Sequence, residues 1–294
     1  MDDDERNRKF KLKRNISKYH KIYNKFKNAI FFLRIIYLML SISITRERNL
    51  NKNSYFSEIH MTINGDGIQP ILNNSYYLPP SEVKVNGIEK QSCTFFCELD
   101  FEENNVTLIF NDMANSTKSM FSYLDNIKEI DFSYFDFSKV TTMENMFENC
   151  YNIQRINFGN INTSSVVNMR GLFYKCFNLL SVDVSNFETS KVTTMRGMFY
   201  NCSSLSAINL SNFKTSNVET FHSFLYKCNK ITSIDLSSLD TSKATDMTGM
   251  FRDCYNLESI NVSNFITSKV ETFRMIFYGC SKLTSIDVSN LKHS

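Results

Sequence analysis

Tryptophan is missing from this 294-residue chain, and glycine and proline are scarce at 8 and 3 residues. So little turn punctuation argues against a loop-rich β-barrel. Histidine is also thin: His20, His60, His222 and His293 are scattered. Neither H-E-x-x-H nor G-x-S-x-G occurs, and no G-K-[ST] follows Asn64-Gly-Asp-Gly67. The chain therefore reads as non-enzymatic, with no cofactor. No long apolar run exists either. The longest, Ala29–Ile44, would span only about 24 Å as a helix, short of a hydrocarbon core of about 30 Å, and Arg34 interrupts it.

What is present is apolar and aromatic. Phe numbers 26 and Tyr 14, with 42% hydrophobic and 21% charged residues, a balance that can bury a sizeable core. The net charge of +3 hides an asymmetry. Residues 1–28 form a basic arm with ten Lys/Arg against four acids, whereas residues 29–294 hold twenty-three basic and twenty-six acidic residues. A mildly acidic body makes nucleic acid an unsuitable partner. The arm leads into Ala29–Ile44, which reads as an uncleaved signal anchor, a cleaved signal peptide or a basic amphipathic helix. The first two place the remainder outside the cytosol.

The decisive feature is a period. Cys150, Cys176, Cys202, Cys228, Cys254 and Cys280 stand 26 residues apart without one insertion. Other columns keep the same phase: Phe147, Phe173, Phe199, Leu225, Phe251 and Phe277 before each Cys, and Ile153, Leu179, Leu205, Ile231, Leu257 and Leu283 after it. A weaker copy precedes them around Phe121 and Leu124, giving seven units, and a fixed period of this size signals a repeat array. Within one unit, Leu179, Val182 and Val184 alternate as a short strand, Thr189-Ser190 offers a helix N-cap, and Val192, Met195, Met198, Phe199 and Cys202 follow at helical spacing. The expectation is an α/β solenoid, leucine-rich-repeat-like, of seven strand–helix coils over residues 113–294. A β-rich cap over residues 55–112 precedes it, read from the alternation of Ser57–Ile63, Glu82–Val85 and Asn105–Phe110.

Two sets of residues are candidates for function. Asn157, Asp183, Asn209, Asp235, Asn261 and Asp287 alternate with buried positions and point out from the strand face, flanked by Ser185, Ser211 and Ser237. That row is either a solvated sheet face or, taken collectively, a surface for a protein or glycan ligand. Calcium would need more oxygens than any one loop supplies. The six repeat cysteines lie one per unit, which is no zinc spacing. They read as core packing, with disulfides between stacked units as the other reading. Cys93 and Cys97 stand apart in the cap, where a bridge is open in an oxidising compartment. No metal is expected.

The pattern M-x-x-M-F-x-x-C-x-x-L-x-x-I-D-L-S-N-F-x-T-S-x-V-T, carried closely by Thr194–Thr220 and Asp246–Thr272, resembles the BspA-like leucine-rich-repeat surface proteins, whose repeat also occurs in Mycoplasma-type lipoproteins. The resemblance covers residues 113–294 and implies surface display, with binding to host or matrix proteins or to other cells. No Cys follows the apolar segment to carry a lipid anchor, so membrane attachment would rest on Ala29–Ile44. The expected function is cell-surface recognition or adhesion, with a cytosolic or membrane-peripheral scaffold as the alternative. The sequence leaves the oligomeric state open.

Overall fold

The structure, a computed structural model, describes residues 56–288. The basic arm and Ala29–Ile44 lie outside the described residues, as do His20 and His293.

The described chain is β-rich. The strands are β1 (Ser57–Asn64), β2 (Gly67–Pro70), β3 (Glu82–Val85), β4 (Ile88–Glu89), β5 (Phe96–Leu99), β6 (Glu103–Phe110), β7 (Ile127–Tyr134), β8 (Arg155–Asn157), β9 (Ser181–Val182), β10 (Ser233–Ile234) and β11 (Ser259–Ile260). Seven form one mixed sheet, ordered β4-β3-β6-β1-β7-β8-β9. β1 runs antiparallel to both β6 and β7, while β7, β8 and β9 run parallel. The cap strand β1 thereby covers the edge that the first coil would otherwise present. Its alternation places Ile59, Met61 and Ile63 in the core, as a half-buried strand requires. A disulfide joins Cys93 to Cys97.

The expected solenoid of strand–helix coils is not what forms: among the described residues there is no helix. Each coil instead turns repeatedly. The amides of Met146, Glu148 and Cys150 bond back to the carbonyls of Met143, Asn145 and Phe147, three residues earlier, at 3.3, 3.1 and 3.1 Å. The amides alternating with them, of Asn145, Phe147 and Asn149, reach the next coil at the carbonyls of Arg170, Leu172 and Tyr174, at 2.8, 3.0 and 2.8 Å. An α-helix spends every amide on its own fourth-preceding carbonyl, whereas here alternate amides tie one coil to the next.

The cause lies in two columns with positive φ. Asn145, Gly171, Gly197, Ser223, Gly249 and Met275 form one; Asn149, Lys175, Asn201, Lys227, Asp253 and Gly279 form the other. Each sits at the third position of a hydrogen-bonded turn, where the type II turn demands that conformation. Two left-handed residues four apart in every coil exclude a helix. The apolar spacing of three and four, read as helical, is equally the stride of consecutive turns that aim one side chain inward each time.

The inward rows are continuous. Phe147 stacks on Phe121 and Phe173 with centroids at 5.8 and 5.9 Å, and Phe173 on Phe199 at 5.2 Å. Thr189, expected to cap a helix, is buried and acts between coils. Its hydroxyl donates to the Lys214 carbonyl at 3.2 Å and accepts the Lys214 amide at 2.7 Å. Thr163 treats Glu188 in the same way, and Thr241 treats Ile266 so.

Candidate ligand-recognition faces

On the strand side, Asn157, Asp183, Asn209, Asp235, Asn261 and Asp287 are all exposed. The parallel pairing of Ser233 with Ser259 and of Ile234 with Ile260 brings Asp235 beside Asn261. The side chains also have local work. The amides of Ser185, Ser211, Ser237 and Ser263 donate to the side-chain oxygens of Asp183, Asn209, Asp235 and Asn261 at 2.9 to 3.1 Å. The Gly159 amide does the same to Asn157 at 3.0 Å. These are Asx turns, which need only an acceptor oxygen two residues before the amide. Acid and amide can therefore interchange along the row. Hydrogen bonds from Ser185 and Ser237 hold the carboxyls of Asp183 and Asp235 below the usual carboxylate range, so both are charged near neutrality. The ladder breaks between β9 and β10, and a shallow depression there is lined by Ala207, Ile208, Ile234, Asp235, Ile260 and Asn261.

The turn side carries a second row that sequence reasoning missed. Tyr174, Tyr200 and Tyr226 stack with centroids 4.3 and 4.4 Å apart and planes within 15° and 9°. Arg252 takes the next place in the same column, its guanidinium 5.4 Å from the Tyr226 ring centre and 5.2 Å from that of Tyr278. Lys175 and Lys227 lie over Tyr174 and Tyr226 at 5.5 and 5.4 Å, within cation–π range. Four residues earlier in each coil stand Arg170, Arg196, His222, Thr248 and Arg274. His222 is half-buried in a turn, its Nδ1 3.1 Å from Asp246 Oδ2. Gly197, with φ +58°, lies between the two rows. A Cβ there would touch Tyr174 Cδ2 at 3.4 Å, an ordinary contact, so glycine serves the left-handed backbone at this position. The signal was present in sequence as an in-phase Tyr, Tyr, Tyr, Arg, Tyr column from 174 to 278.

Residues 115–235 and 204–294 match the family described as "Mycoplasma protein of unknown function, DUF285". The chain belongs to that family. No curated protein and no solved structure matches it. The two DUF285 matches together run over the coil stack and overlap at residues 204–235.

The most regular column of this DUF285 stack is its cysteine. All six repeat thiols are free and buried. Each donates to the carbonyl of a Phe or Leu in the preceding coil: Cys150 to Phe121, Cys176 to Phe147, Cys202 to Phe173, Cys228 to Phe199, Cys254 to Leu225 and Cys280 to Phe251, all at 3.0 to 3.2 Å. The column needs a small apolar side chain with one weak donor, which is a description of cysteine. Burial pushes these thiols up, that of Cys254 to about 12, so they stay protonated near neutrality. Among the described residues, no group of three or more His, Cys, Asp or Glu is placed to hold a metal ion.

Proposed function

We propose that this chain is a non-enzymatic recognition protein of the cell surface, binding a macromolecular ligand through the rows its coils repeat. The observation that carries this reading is the recurrence of one chemistry per column over successive coils on two exposed sides. A catalytic centre needs one asymmetric cluster, whereas a row of like groups at fixed rise suits an extended partner. Solenoid-type surfaces are generic, so the reading rests on these side chains and not on the fold. The resemblance to BspA-like surface proteins supports display outside the cell. The Cys93–Cys97 disulfide supports it too, since such bonds persist in oxidising compartments. Attachment would run through Ala29–Ile44, and the ligand is a protein or a glycan.

The test is topological. The full chain, tagged at its carboxyl end and expressed in its own cells, is exposed to protease while the cells stay intact. Loss of the tag is the expected result. A protected tag, with cell integrity verified, would sink surface display and leave a cytosolic scaffold of the same coils.

A further inference from the structure

The charge of the turn side runs against that of the body. Residues 56–288 hold 25 Asp/Glu against 18 Lys/Arg. On the turn columns from coil three onward, however, stand Arg170, Lys175, Arg196, Lys227, Arg252 and Arg274, with Asp246 and Asp253 as the acids among them. Those two are engaged: Asp246 by His222, and Asp253, buried, 3.6 Å from Arg252 Nε. Glu144 and Glu148 occupy the same columns one coil earlier, where Glu144 meets Lys118 at 2.9 Å and Arg170 at 3.8 Å. Elsewhere some surface lysines are neutralised, Lys84 by Glu82 at 2.8 Å, Lys90 by Asp100 at 3.2 Å and Lys214 by Glu188 at 2.9 Å, while Lys139, Lys191, Lys230 and Lys269 are exposed with no ion pair among the described residues. Arg196 and Arg274 are exposed and have no ion pair among the described residues. From Arg170 to Arg274 each coil sets a Lys or Arg on this side (Arg170, Arg196, Lys227, Arg252, Arg274), with Arg196 and Arg274 uncompensated, and such a row on an acidic body attracts a polyanion.

The aromatic column narrows the class. Both faces of Tyr200 are covered, by Tyr174 and Tyr226, and Tyr226 lies between Tyr200 and Arg252. Nucleobases bind single-strand platforms through open ring faces, and the middle of this stack has none to offer. What the stack offers outward is ring edges and a line of phenolic hydroxyls, which donate and accept hydrogen bonds. Burial raises the pKa of all three phenols, so the hydroxyls keep their protons. A depression lined by His222, Tyr226, Gly249, Arg252, Arg274 and Met275 brings the end of the Tyr column and the Arg column together.

We propose that this Tyr–Arg side binds an acidic polysaccharide, its sulfate or carboxylate groups held by the guanidinium row and its hydroxyls by the tyrosine row. Guanidinium groups grip such oxyanions in two-pronged fashion. The proposal rests on the recognition reading above and names its ligand class.

The experiment uses the full chain on immobilised heparin, over a series of salt concentrations. The comparison variants are Arg196→Glu/Arg274→Glu and one with Lys9, Lys11, Lys13 and Arg14 changed to Gln, because the basic arm could bind heparin by itself. The expected result is salt-sensitive binding that falls about tenfold or more in the double Glu variant and is kept in the arm variant. Binding that survives the double Glu variant and is lost with the arm would overturn the proposal, as would no binding to heparin at all. If the chain adheres to extracellular matrix stripped of acidic polysaccharide and not to heparin, this ligand class falls while the recognition reading stands. If heparin is bound through Arg196 and Arg274 but the tag on intact cells is protected, the ligand class stands and surface display falls.

Discussion

The cap and the coil stack reach the same end by different means. The cap pairs strands far apart in sequence, β1 with β6 over the whole of Ser57–Asn64, and fastens a loop with a disulfide. Beyond β7 in its first coil, the stack has strands of two or three residues and isolated bridges, such as Thr142 with Asn168 and Asn168 with Thr194. Its cohesion lies in columns: stacked Phe rings, thiols on carbonyls, threonine hydroxyls between coils. In the cap, a position matters for its partner across a ladder. In the stack, it matters for the copy of itself in the neighbouring coil.

The sharpest way to separate the two is alkali. A thiol buried in protonated form has a folded pKa above its unfolded value of about 8.5. Its stabilisation is therefore complete below that pH and is lost as pH rises. Cys150, Cys176, Cys202, Cys228 and Cys254 each meet this condition. Each should cost about 1.4 kcal/mol per pH unit above about pH 8.5. The cap's two cysteines are bridged and do not titrate. Hydrogen exchange should show stack amides losing protection before cap amides, and equal loss in both would break the contrast.

Next in size is the core row. Phe199→Ala removes a ring stacked on Phe173 and edge-on to Phe224 and should cost about 3–5 kcal/mol in denaturant unfolding. A loss under about 1 kcal/mol would mean that the coils can collapse around the gap. Removing the cap bridge with Cys93→Ala/Cys97→Ala closes the comparison from the other side. So short a loop predicts a loss of about 2 kcal/mol, seen in cap amides and not beyond coil two. Smallest is Thr189→Val, which leaves the Lys214 amide and carbonyl without their partner. It should cost about 1–2 kcal/mol by thermal melting, and an unchanged Tm would remove the threonine row from the account.

The array was plain in the sequence because a period survives whatever conformation carries it. Cys176, Phe173 and Leu179 could be placed inside from phase alone. The conformation was not plain, since Val192, Met195, Met198, Phe199 and Cys202 have a spacing that a helix and a run of turns both satisfy. The deciding residues were polar ones between them, Asn145, Asn149, Gly171, Gly197 and Asn201, types that tolerate positive φ. The Asp/Asn row was visible as exposed but not as a set of Asx turns, which shows only once Ser185 and Ser237 direct their amides back to it. The Tyr row stood in the sequence as an in-phase column from Tyr174 to Tyr278, but that its rings stack shows only once the coils are superposed.

The 26-residue phase held without insertion from Cys150 to Cys280 has a genetic consequence. Each coil hydrogen-bonds to its immediate neighbours, so excising any 26 consecutive interior residues would rejoin the chain at an equivalent junction. A recombination between two copies would do the same. The number of coils is then a free variable of the gene, and with it the length of every side-chain row, much as adding links changes the reach of a chain and not its gauge.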